Sequence, residues 1–237
     1  MNDLDKVIQG FEGIKAAAAD AGKTGKSFMD MLSGSFKNLA KYLLTFASFY
    51  RVIGYIKSAV NVVKELDTAM VEIRKVTTES AESLERFSRA SFNMADKYGT
   101  TAKQIQESTA SWLRLGESFE QATESAQMSA YLLNTTEITS IDEATEDLVS
   151  ISQAYKEISK SDIIDKLNNI GDHFSSSSSD LAQGLKNASA VLKTQGNDID
   201  KALALLTAGN NITQDISKTS AGIRTIALRI SGVCPNV

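Results

Sequence analysis

"GDHFSSSSSDLAQGL", residues 171–185, admits three readings. The serine run Ser175–Ser179 is a flexible linker between domains; or His173, the chain's one histidine, forms a catalytic or metal site with Asp172 and Asp180; or the stretch punctuates two helices. The flanks decide. Ile163, Leu167 and Ile170 before it, and Leu181, Leu185, Ala188 and Leu192 after it, recur every three or four residues, which places each set on one helix face. A Gly/Ser linker carries several glycines and lacks periodic helices hard against both ends. Here one helix closes at Gly171 and the next opens near Ser178 or Ser179, leaving room for a short connection. A serine hydroxyl accepts from the exposed N–H groups of a first turn, and Asp180 in that turn suits the positive helix end. Capping accounts for the last one or two serines, and the earlier ones read as loop. His173, without cysteine or histidine partners nearby, reads as a surface residue.

The same period runs along the chain. Leu66, Met70 and Ile73 form one run, and Leu84, Phe87, Met94 and Tyr98 a second, stopped by Gly99. Ile105, Thr109 and Trp112 lead to Gly116, and Ile141, Ala144, Leu148, Ile151, Tyr155 and Ile158 form one unbroken series. Ile199, Ala202 and Leu206 lead to Gly209, and Ile223, Ile226 and Ile230 close the pattern. Glycine just past a periodic run takes the left-handed conformation that ends a helix, so Gly99, Gly116, Gly171, Gly196 and Gly209 are read as stops. Thr101 with Gln104, Ser118 with Gln121 and Ser140 with Glu143 have capping-box spacing. The only proline is Pro235, against an average usage of about 5%; proline breaks helices, so its scarcity fits closely spaced ones. The resulting fold class is all-α: an elongated multi-helix bundle with coiled-coil-like segments and glycine-separated helices. The seams are rich in Ala, Ser and Thr. At about 25 cal/mol per Å² of buried apolar surface they stabilise modestly, so a homo-oligomer or other partners are expected.

Residues 39–63 carry the strongest stripe: Leu39, Tyr42, Phe46, Phe49, Ile53, Ile56, Val60 and Val63. It reads as a packed seam or an oligomerising helix. A membrane contact through residues 36–63 is the rival reading. The uncharged run from Tyr42 to Tyr50 is far short of the roughly 20 residues a span needs, and Arg51 and Lys57 interrupt the apolar residues beyond it.

Chemistry-bearing motifs are missing from the sequence. A net charge of −4 without a basic cluster argues against nucleic-acid binding. Cys234 stands alone, so neither an internal disulfide nor a thiolate zinc site is available. No phosphate loop, HExxH or nucleophile elbow occurs. Glu79 and Glu82, beside Arg86 and Arg89, read as a solvated helix face. Trp112 reads as core. No catalytic, cofactor or metal residue is assigned. The N-terminus lacks the basic and apolar regions of a signal peptide.

"ELDTAMVEIRKVT" (65–77), "YGTTAKQIQESTASWLRLGESFEQA" (98–122), "DIIDKLNNIGDHFSSSSSDLAQGLKNASAVL" (162–192), "ALALLTAGNNITQD" (202–215) and "IRTIALRI" (223–230) occur in the order and spacing of one family. Over residues 65–230 the chain resembles the core of phage tail tape measure proteins. The resemblance implies a structural protein of the tail lumen, made in the bacterial host cytoplasm, that acts in tail tube assembly and length determination. It also implies partners: the tail tube (major tail) protein, tail assembly chaperones and distal tail or baseplate proteins. The expected division is 1–35, an N-terminal helical or flexible segment; 36–64, an aromatic-rich helix; 65–230, the core; and 231–237. That last segment, "SGVCPNV", departs from the family pattern, as a truncated or frameshifted prophage gene would. A helix rises 1.5 Å per residue, so 237 residues as one rod would reach about 350 Å; the glycines of residues 99–209 point instead to a folded platform. A bacterial coiled-coil scaffold is a further alternative, and its sustained heptads are lacking there.

Overall fold

The computed structural model describes residues 46–232, with side chains from residue 61 onward. Nine α-helices and no strand occur among them: α1 (Phe46–Val76), α2 (Ala81–Tyr98), α3 (Ala102–Arg114), α4 (Phe119–Thr135), α5 (Ile141–Ala154), α6 (Lys160–His173), α7 (Ser178–Thr194), α8 (Ile199–Thr213) and α9 (Ile216–Ile230). The fold is an all-α helical bundle. Backbone contacts divide the chain inside α2, after Ala90, into two compact units.

In the first unit, α1 buries Leu66, Met70 and Ile73, the run expected from their spacing, and the first half of α2 buries Leu84 and Phe87. In the second, α3 packs against α4 and α5, and α4 against α5. Then α7 packs against α8 and α9, and α8 against α9. These two triplets meet where α5 lies along α7, and α6 contacts α4, α5 and α7.

The caps explain where the helices begin. Thr101 and Ser118 each form the full reciprocal box with Gln104 and Gln121. For Ser140 the forward bond is present, Oγ accepting from the Glu143 N–H at 3.2 Å. Ser159, Ser177, Asp198 and Asp215 cap α6, α7, α8 and α9 in the same way.

The triplets repeat one design. Gly116 and Gly196 end α3 and α7 at φ of 89° and 78°, a left-handed turn that L side chains resist, and two residues later Ser118 and Asp198 cap α4 and α8. Counted from those caps, Ala122, Ala126 and Ala130 of α4 fall opposite Ala202, Leu206 and Asn210 of α8, and all six are buried. Counted from Ser140 and Asp215, Ile141, Ala144 and Thr145 fall opposite Ile216, Thr219 and Ser220, again all buried.

Three boundaries and one inner stripe differ from the sequence expectation. Gly171 lies inside α6, which runs to His173. It is there because Ser178 of α7 rests on it: a Cβ would come within 2.9 Å of the Ser178 nitrogen and 3.3 Å of its Cα. Gly209 likewise lies inside α8, where a Cβ would meet Thr219 Cγ2 at 2.6 Å. That helix ends instead at Gln214, left-handed at φ 49°, whose Nε2 donates to the carbonyls of Asn210 and Asn211 at 3.3 and 3.1 Å. The Ile141–Ile158 series is broken after Ala154. Tyr155 leaves the helix at φ −117° and ψ 61°, and Ser159 starts a new one by accepting from the Asp162 N–H. Finally, Ile226 and Ile230 are 60% and 76% exposed, so the inner stripe of α9 is Ile216, Thr219, Ser220 and Ala227.

Candidate functional site

The serine run is a docking strap as well as a connection. Ser175 Oγ donates to Asn211 Oδ1 of α8, and the fully buried Ser176 Oγ accepts from Asn210 Nδ2 at 3.0 Å. Ser177 is the N-cap of α7, with Asp180 closing the box. Ser178 Oγ donates to the Leu167 carbonyl of α6 at 3.3 Å, and the Ser179 N–H donates to Glu137 Oε2. His173 is exposed in the last turn of α6, its Nδ1 2.7 Å from the Asn169 carbonyl oxygen. Asp180 serves the cap of the next helix, so His173 and Asp180 are both held by contacts to the backbone.

Trp112 is fully buried and donates from Nε1 to Ser129 Oγ at 3.2 Å. Above its ring, at 4.7 Å, lies the Lys160 ammonium, which also pairs with Glu117 at 2.9 Å. Glu117 in turn accepts from Ser125 Oγ at 2.6 Å. This cluster borders an open cleft of about 550 Å³ lined by Glu117, Gln121, Glu124, Ser125, Met128 and Lys160. A half-buried cation held by a carboxylate and an aromatic face ties α3, α4 and α6 together. Its chemistry is charge pairing: both Glu117 oxygens and the Lys160 cation are engaged within the protein.

Two further charged clusters lie where α7 meets its neighbours. Asp147 of α5 is 1% exposed; Oδ1 accepts from Lys186 at 3.1 Å while Oδ2 has no partner. Burial raises its carboxyl above the ordinary value of 3.8 despite the lysine. Lys186 is raised too, because Glu146 at 2.7 Å and Asp147 stabilise its cation more than burial disfavours it. At the other end, Tyr155 is buried with its hydroxyl unpaired, and burial, with Asp198 and Glu157 nearby, pushes its phenol up to about 12. Lys193 sits 5.2 Å over that ring and pairs with Glu157. Lys193's hydrogen bond holds the Glu157 carboxyl low.

Of the other sequence candidates, Leu39 and Tyr42 lie outside the described residues, and Phe46, Phe49, Ile53 and Ile56 are on α1 with side chains outside them. Gly99 follows α2 at φ 63°. Glu82 and Glu85 pair with Arg86 and Arg89 on an exposed helix face. Among the described residues no group of three or more His, Cys, Asp or Glu converges as a metal site, and no helix is long and apolar enough to cross a membrane. Sequence reasoning missed the Glu117–Lys160 tie, whose partners lie far apart in the chain. It also missed Asp147, although an acid within the Ala144–Leu148–Ile151 stripe was a visible signal.

Residues 88–232, more than half of the chain, match the sequence family described as phage-related minor tail protein. The chain belongs to that family. No solved structure matches it. Membership makes this minor tail protein a structural component of a phage tail, working in contact with other tail components. Its clusters accord with that role: the Glu117–Lys160 and Asp147–Lys186 pairs and the serine strap join helices.

Proposed function

We propose that this minor tail protein is a tape measure protein, acting in tail tube assembly and length determination and not as an enzyme. The observation that carries the reading is the ordered likeness from 65 to 230 to the tape measure core, which overlaps the family match over 88–232. Within that core the helices are short and fold back in repeated triplets, as suits a platform on which tube and distal components assemble. The measuring length then belongs to other sequence. Inside the tail lumen the core would meet the major tail protein, assembly chaperones and distal tail or baseplate proteins, and self-association would supply further apolar burial. An in-frame deletion within residues 99–209 of a functional phage gene tests this by electron microscopy of tails. Lost or impaired tail formation is expected; tails uniformly shortened in proportion to the deletion would refute the platform reading.

A further inference from the structure

The two triplets differ in what covers them. Counted from the caps, Leu205 and Ile212 of α8 stand where α4 has Ser125 and Leu132, and Ile226 and Ile230 of α9 stand where Ile151 lies in α5 and Tyr155 follows it. In the first triplet those positions are 2%, 0%, 0% and 0% exposed; in the second they are 45%, 86%, 60% and 76% exposed. The first triplet is covered on this side by α6, which packs on α4 and α5, and by α7, which packs on α5. The second has no helix packed over these positions among the described residues, although the serine strap bonds Asn210 and Asn211 of α8 and Lys166 of α6 pairs with Asp200. Repeated helical units bury their apolar faces by stacking on a neighbour, and a unit without one keeps a face open.

Charge indicates what the face would accept. On α5 the acids Asp142, Glu143, Glu146 and Asp147 occur without a single Lys or Arg, and α7 answers with Lys186. The equivalent α9 is reversed: Lys218, Arg224 and Arg229, with no acid after its Asp215 cap. Two copies meeting through this face of α9 would bring their Arg229 cations near one another, which disfavours a symmetric self-pairing.

We propose that the outer face of α8 and α9, centred on Ile226 and Ile230, docks an acid-flanked amphipathic helix of a partner protein. The partner would supply a Leu/Ile stripe at three-four spacing to the isoleucines, and a carboxylate to Arg229, which stands three residues from Ile226 on the same side of the helix. This does not depend on the tape measure reading, since it rests on the repeat, the exposed isoleucines and the charge of α9.

The test uses the full chain and two labelled, helix-stapled peptides with the same Leu/Ile stripe, one flanked by Glu and one by Lys. Fluorescence anisotropy should show the Glu-flanked peptide binding, with affinity falling as salt rises, and the Lys-flanked peptide at least tenfold weaker. Ile226→Asp with Ile230→Asp should weaken binding at least tenfold at unchanged helicity by circular dichroism. Ile226→Gln with Ile230→Gln serves if the aspartates unfold the chain. Leu115→Asp, at an exposed leucine away from the face, should leave binding intact. Equal binding of both peptides, or binding indifferent to the isoleucine substitutions, would overturn the proposal. So would sedimentation showing that the same substitutions dissolve a self-associated form, which would make a second copy the occupant.

Discussion

At the scale of single residues, the bundle's close approaches rest on glycine, and one buried acid adds a pH response of its own. Gly209→Ala is expected to lose about 1–3 kcal/mol in urea unfolding, because its methyl meets Thr219 Cγ2 at 2.6 Å. Thr219→Ser removes that methyl and keeps the hydroxyl that bonds Thr213, so in its background the loss should largely vanish. Gly222 is the control: a Cβ there meets nothing and the backbone is helical, so Gly222→Ala should gain about 0.5–1 kcal/mol. Asp147 works through protons. Its folded carboxyl is raised, so above the ordinary 3.8 the folded state keeps a proton that the unfolded chain has lost, and stability falls as pH rises through the folded value. Lys186 titrates above 10.5, outside that window. Asp147→Asn is uncharged throughout, so its stability relative to the native chain should improve as pH rises above the ordinary carboxyl value and through the raised one. The depressed carboxyls of Glu157, Asp198 and Asp215 are common to both proteins and cancel in that difference. A stability difference independent of pH would count against the raised value.

At the scale of elements, the serine strap separates roles that its monotony conceals. Ser176→Ala strips the partner from a buried Asn210 amide whose Oδ1 is already unpaired, and should cost about 1–3 kcal/mol. Ser177→Ala removes the α7 cap and should cost about 0.5–2 kcal/mol. Ser179 contributes only its backbone N–H to Glu137, so Ser179→Ala should stay within about 0.5 kcal/mol of native. Thermal or urea unfolding of the three variants checks the order. This strap marks how far sequence carries. Helix period and capping are local, so the inner faces of α3, α5 and α7, and the boxes at Thr101 and Ser118, were legible from spacing. Ser175 and Ser176 bond Asn211 and Asn210 across a long loop of chain, and no local pattern announces that. Glycine was ambiguous for a similar reason: a left-handed stop, as at Gly116, and a helix-to-helix contact, as at Gly171, both ask for the residue without a Cβ. Only the neighbour decides. The Ile223–Ile226–Ile230 stripe was real as a period, but period alone does not say whether anything lies against it.

At the scale of the whole molecule, the two triplets share one plan and differ in what covers them, which turns equivalent positions into a controlled comparison. Leu132 is sealed and Ile212, its counterpart, is 86% exposed. Leu132→Ala should cost about 2–5 kcal/mol through lost burial and the cavity left behind. Ile212→Ala should stay within about 0.5 kcal/mol in the isolated protein, as a surface substitution does. Ile151→Ala and Ile226→Ala should divide in the same way, since the first is fully buried and the second 60% exposed. Amide exchange gives the corresponding map. The α8–α9 hairpin has fewer sealed apolar contacts, so its amides should open at lower free energy than those of α5 and α7, which face each other across the junction of the triplets. Within an assembled tail the comparison becomes informative in the other direction. If the outer face is occupied there, α8 and α9 amides gain protection and Ile226→Ala acquires a cost that it lacks in isolation. Equal losses at Leu132 and Ile212 in the free protein would mean that the second triplet is already sealed, and the reading of α8 and α9 as an open end of a repeated array would fall.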